Sequence, residues 1–122
     1  MNSSQLLNST FKRVSNLIEA HNFKLHRLPT GDYAFYANSD FKLWKYDWAW
    51  VNKKELLLGN DNDNVYSLFD LMCRRKNYYD SLNIKPIKFF SENELKFIDI
   101  CRCLTDCSCL EELVIKMDLM GI

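Results

Sequence analysis

The chain has 122 residues, 48% hydrophobic and 26% charged, with 16 basic and 16 acidic side chains and a formal net charge of zero. That length suits one domain, 1–122, with a real buried core, and the composition excludes wholesale disorder. Neutrality removes any general pull toward nucleic acid or an anionic membrane, and three glycines leave no room for a glycine-rich phosphate cradle.

The first residues, Met1 to Asn8, lack the basic region and apolar run of a secretory signal, and no apolar stretch reaches the roughly 18–20 residues of a membrane span. Four of the five cysteines crowd into nine positions rather than spreading to staple distant segments. The expectation is a cytoplasmic protein with reduced thiols, no membrane contact and no cofactor. Charge is mildly asymmetric: 8 basic against 5 acidic residues up to Leu58, and 8 against 11 after it.

In chain order, Leu7, Phe11, Val14 and Ile18 recur on one face of a first helix, widened by Leu6 and Leu17 and capped by Ser3 or Ser4. That helix frays near His21-Asn22. A strand from Phe23 to Leu28 ends at the turn Pro29-Thr30-Gly31-Asp32, and Tyr33 to Ala37 forms a second. Phe41 to Val51 reads as a long third strand, and Leu56 to Leu58 as a short fourth after the polar turn 52–55.

Beyond the polar stretch Gly59 to Asn64, a helix carries Val65, Leu68, Phe69, Met72 and Cys73 on one face and runs out near Tyr79-Asp80. Ile84 to Phe90 is extended, because Pro86 disfavours helix before it. Ser91 with Glu94, and Ser108 with Glu111, are capping-box patterns opening two last helices, the first facing inward through Phe97, Ile100, Cys101 and Leu104. The second does so through Leu110, Leu113, Val114 and Met117. The fold class is therefore α+β: an antiparallel meander of three or four strands with about four helices on one face, in the order α-β-β-β-(β)-α-α-α.

The third strand is unusual. Side chains alternate across a strand, so Trp44, Tyr46, Trp48 and Trp50 line one face and Leu43, Lys45, Asp47, Ala49 and Val51 the other. Either the aromatic row is the core face, or the apolar residues opposite it are, and the aromatics then look outward. An outward row is a binding surface, because Trp and Tyr add much contact area for little lost freedom. The same row with Lys42, Lys45, Lys53 and Lys54 could stack unpaired bases and meet phosphates. Arg74 and Arg75, followed by Lys76 and the tyrosines Tyr78 and Tyr79, form a second candidate contact on a helix end, suited to phosphate or an acidic partner.

Cys101, Cys103, Cys107 and Cys109 are soft ligands in close sequence, so zinc or another thiophilic metal enters the reckoning. The spacing lacks paired C-x2-C knuckles, and Cys101 and Cys103 point about 200° apart on a helix. Packing of Cys101 among apolar neighbours fits the pattern better. Asp61-x-Asp63 fails as a calcium loop, since Val65 and Met72 stand where ligands are needed. The terminal helix pair is too acidic, with Glu111, Glu112 and Asp118, to read DNA.

No nucleophile elbow, zinc-protease helix, Walker loop or dinucleotide fingerprint is present, so an enzyme is not expected. The expectation is a small non-catalytic protein-binding module. As a class, inhibitors of the toxin-immunity or phage anti-defence type work this way, by covering a partner's surface. Its partner is another protein, a second copy of the chain included. The alternatives are a single-stranded nucleic-acid binder using the aromatic sheet face, and a thiolate metal protein.

Overall fold

A computed structural model describes residues 2–37, 50–83 and 90–122 of the chain. The first helix, α1 (Ser3–Ala20), buries Thr10, Val14, Leu17 and Ile18 and leaves Leu7 and Phe11 half-covered. Its cap is Asn2, one residue before the expected serines: the Asn2 side chain accepts from Gln5 N–H and the Gln5 side chain accepts from Asn2 N–H, at 2.8 and 3.0 Å. This reciprocal pair satisfies two donors that the helix leaves open. The helix ends at His21, and Asn22 turns the chain at φ 64°.

Strands β1 (Phe23–Arg27) and β2 (Tyr33–Ala37) pair antiparallel, with Leu25 opposite Phe35 and Phe23 opposite Ala37. The turn between them closes where expected: Leu28 N–H donates to Asp32 O at 2.7 Å and Gly31 N–H to Leu28 O at 2.9 Å. Period-two alternation puts Phe23, Tyr33 and Phe35 in the core and leaves Lys24 and His26 outside. Among the described residues the sheet has these two strands, so a meander of three or four is not what they show. The third expected strand, 41–51, lies outside the described residues except for its last two positions. There Trp50 makes a single antiparallel bridge to Tyr33, whose N–H donates to Trp50 O at 2.8 Å.

The expected fourth strand is a helix, α2 (Lys53–Leu58). Three leucines in a row do not choose between helix and strand; the residues before them do. Asn52 accepts from Glu55 N–H at 2.8 Å, and the Glu55 carboxylate accepts from Val51 N–H at 3.0 Å. Read as a polar turn, 52–55 is in fact a helix start. Lys53 fastens α2 to α1, donating to Asn8 Oδ1 at 2.9 Å with its ammonium 5.0 Å from the Phe11 ring centre.

After α2 the chain makes one 3-10 turn, Asp61–Asp63. Asn60 and Val65 then exchange two backbone hydrogen bonds at 2.7 and 2.9 Å, so Val65 belongs to a bridge and not to the next helix. Helix α3 (Leu68–Ser81) starts at the Ser67 cap and buries Leu68, Phe69, Leu71 and Met72. Helix α4 (Glu92–Cys103) starts at Ser91, whose Oγ accepts from Glu94 N–H at 3.1 Å. It packs along α3 and buries Phe97, Ile98 and Cys101. The extended segment expected at 84–90 lies outside the described residues, apart from the buried Phe90.

Helix α5 (Leu110–Met120) is capped differently from the expected Ser108–Glu111 box. The cap position is Cys109, which makes no side-chain bond, and Glu112 reaches back to accept from Ser108 N–H and Oγ at 3.0 and 2.9 Å. Those two bonds hold the Glu112 carboxyl below the usual carboxylate range. Arg13 closes α5 onto α1 by donating to Asp118 Oδ1 at 2.8 Å and to Ile122 O. The architecture is thus α+β, with five helices and a two-stranded antiparallel sheet among the described residues.

The core is centred on rings. Phe97 of α4 lies 5.3 Å from Phe23 and 6.0 Å from Phe35, which themselves stack at 4.7 Å. Such pairs add about 0.5–1.5 kcal/mol each beyond the area they bury. Phe97→Ala should therefore lower stability by about 3–5 kcal/mol in urea unfolding.

One glycine is required by geometry. Gly59 ends α2 at φ 75°, ψ −175°, and a Cβ there would meet Val65 O at 2.7 Å and Ser67 N at 3.0 Å. Gly121 has a similar φ of 73° but open space around it. Gly59→Ala should cost at least about 1–3 kcal/mol from backbone strain alone, and more than Gly121→Ala, in paired urea melts.

Candidate functional site

Helix α3 turns its apolar side to the core and presents Arg74, Asn77, Tyr78 and Ser81 to solvent. These residues recur at i, i+3, i+4 and i+7 and form one face. Tyr78 is 59% exposed, and Leu82, just past the helix end, is 46% exposed. The guanidinium carbon of Arg74 sits 3.9 Å from the centre of the Tyr66 ring. A planar cation over an aromatic face loses part of its rotamer freedom before any partner arrives.

The run Arg74-Arg75-Lys76 is not one patch, because successive residues point about 100° apart on a helix. Arg74 is exposed, Arg75 is half-buried, and Lys76 donates to Asp80 Oδ2 at 2.8 Å. Beside Arg74 an open cleft of about 420 Å³ separates α3 from the end of α4, lined by Asp70, Cys73, Arg74, Asn77, Arg102 and Thr105. Two guanidinium groups and one carboxylate give this lining a net charge of +1. Asp70 Oδ2 accepts from Ser67 Oγ at 3.0 Å, and Arg102 Nη1 lies 3.7 Å from Asp99 Oδ1, a long and solvent-exposed pair.

Of the aromatic row, Trp44, Tyr46 and Trp48, with Lys45, lie outside the described residues. Trp50 is a core residue: it is 0% exposed and its indole N–H donates to Tyr66 O at 2.7 Å. Its ring is therefore neither a docking contact nor a platform for bases. Val51, the next residue in the chain, is 58% exposed.

The four clustered cysteines are not gathered to one point. Cys101 is fully buried, and burial pushes its thiol well above the ordinary range. Cys107 is buried with Sγ directed at Leu104 O, 3.6 Å away, while Cys103 and Cys109 are exposed. Among the described residues no group of three or more His, Cys, Asp or Glu could hold a metal ion. Cys73, in the cleft, is pushed up chiefly by burial, opposed by Arg102 and reinforced by Asp70, Asp106 and Cys103.

Sequence reasoning finds Arg74 but not Asn77, Arg102 or Thr105, which stand 3, 28 and 31 residues farther along the chain. Asn77 follows the basic run by one residue, and that is the only local signal among the three.

Two outcomes are expected. Trp50→Phe should cost about 1–3 kcal/mol, because it deletes a fully buried indole donor and leaves the part-buried Tyr66 carbonyl without it; thermal melts check this. Half-buried Cys73 and buried Cys101, shielded from reagent and with thiols raised by burial, should alkylate more slowly at pH 8 than Cys103 and Cys109, which are exposed. Peptide mapping after timed iodoacetamide exposure reads that order.

None of the family models, curated proteins or solved structures compared with this chain matches it.

Proposed function

We propose that the chain is a non-catalytic protein-binding module whose α3 face covers an acidic surface on a partner protein. The single observation that carries this reading is Arg74, held over Tyr66 at one end of an exposed face that also bears Tyr78. Arg and Tyr are the side chains most often found to dominate association, because each brings a large, stiff contact area with a polar end. Leu82 extends the face with apolar area, and the charge of Arg74 selects an acidic counterpart.

Inhibition by surface occlusion, of the kind used by immunity and anti-defence proteins, needs no more than such a face. The reading favours the α3 face over the aromatic strand, because Trp50 is committed to the core. No described helix is long and apolar enough to cross a membrane.

The test is cross-linking of the tagged full chain in lysate of its source cells, with partners identified by mass spectrometry. The expected result is one protein whose cross-links map to an acidic patch and to α3, retained by Lys24→Glu on the outer face of β1. Arg74→Glu and Tyr78→Ala should each weaken the purified complex at least about tenfold. Cross-links that bypass α3, or a complex indifferent to both substitutions, would overturn the assignment.

A further inference from the structure

We infer that the cleft between α3 and the end of α4 is a carboxylate-binding site, which receives a glutamate or aspartate side chain from the partner beside the Arg74 contact. The inference rests on the proposed reading of α3 as the contact face and names what that face recognises.

Arg74 and Arg102, from different helices, line one open cleft together with Asp70, Cys73, Asn77 and Thr105, whose hydroxyl donates to Arg102 O at 3.2 Å. Guanidinium is a planar donor fork that matches a carboxylate with two parallel N–H bonds. Among the described residues neither guanidinium is closely ion-paired: Arg102 Nη1 stands 3.7 Å from Asp99 Oδ1, and Arg74 is held over a ring. Asp70 sets the charge of the incoming anion. With it the lining carries +1, which a monoanion neutralises, whereas a phosphate dianion would leave an excess negative charge beside Asp70.

Cys73 supports the choice. Its thiol is held above the ordinary range, so it stays neutral at pH 7 and does not repel an anion. Asp106, outside the lining, lies close enough to act on Cys73 as well, so a second carboxylate offsets the +1 of the lining, which weighs further against a dianion.

The test uses the purified full chain, 15N-labelled, at fixed ionic strength. Two probes are titrated separately: the blocked peptide acetyl-Gly-Glu-Gly-amide and inorganic phosphate. The expected result is saturable shifts at Arg74, Asn77, Arg102 and Thr105 with the peptide, and weaker, non-saturating shifts with phosphate. Arg102→Gln should raise the peptide Kd about tenfold, and Arg102→Lys should recover part of the loss.

Absence of saturation with the peptide, tighter binding of phosphate, or an unchanged Kd in Arg102→Gln would each overturn the assignment. Arg102→Gln is also measured against the identified partner. If it leaves that complex intact while Tyr78→Ala breaks it, the cleft assignment fails and the α3 face stands. If neither substitution matters, the wider reading fails with it.

Discussion

The interaction on which the rest of this structure depends is the seating of Trp50. Its carbonyl accepts from Tyr33 N–H, which ties the chain to the second strand of the hairpin, and its indole donates to Tyr66 O, which fixes the approach to α3. A fully buried indole without an acceptor would be costly, so the position of the Tyr66 backbone is over-determined. The Tyr66 ring, held by that backbone, is in turn the surface on which Arg74 lies. A core packing decision thus reaches the protein's exterior through two contacts.

The second recurring device is a glutamate in the first turn of a helix that reaches back past the cap. Glu55 does this for α2 through Val51 N–H, and Glu112 does it for α5 through Ser108. Each satisfies an amide at the helix entry and places negative charge at the positive end of the helix dipole. The two differ in setting. Glu55 is buried and also meets the Asn60 amide at 3.5 Å, whereas the Ser108–Glu112 pair is at the surface. For Glu112 the depressed pKa means a contribution present above the unfolded carboxylate range and lost as acid protonates it.

How much of this is legible in the sequence follows from which physical signal each element carries. The apolar stripes of α1, α3, α4 and α5 recur at helical spacing, and the hairpin announces itself through Pro29-Thr30-Gly31-Asp32. Helix α1 and the hairpin appear within a residue or two of their observed limits, whereas α3 starts three residues later than its stripe suggests. Leu56 to Leu58 misleads because an unbroken apolar run has no period, and only the Asn52 and Glu55 pairing reveals a helix. Val65 misleads in the opposite direction: it fits the α3 stripe, yet backbone bonds to Asn60 hold it in a bridge. The candidate site is half legible. Arg74 stands out as part of a basic run, but Arg102 joins it only because α4 lies along α3, a tertiary fact that no local pattern announces.

The clasp between Arg13 and the end of α5 joins residues 105 positions apart in the chain. Both partners are substantially solvent-exposed, so the ion pair itself adds only about 0–1 kcal/mol. Its consequence lies in timing. A chain emerging from the ribosome makes the amphipathic α1 long before the segment that closes on it, so α1 must wait with that flank uncovered. Completion of the domain is therefore a late, long-range step, whose entropic cost is set by loop closure and not by the strength of the bond that finishes it.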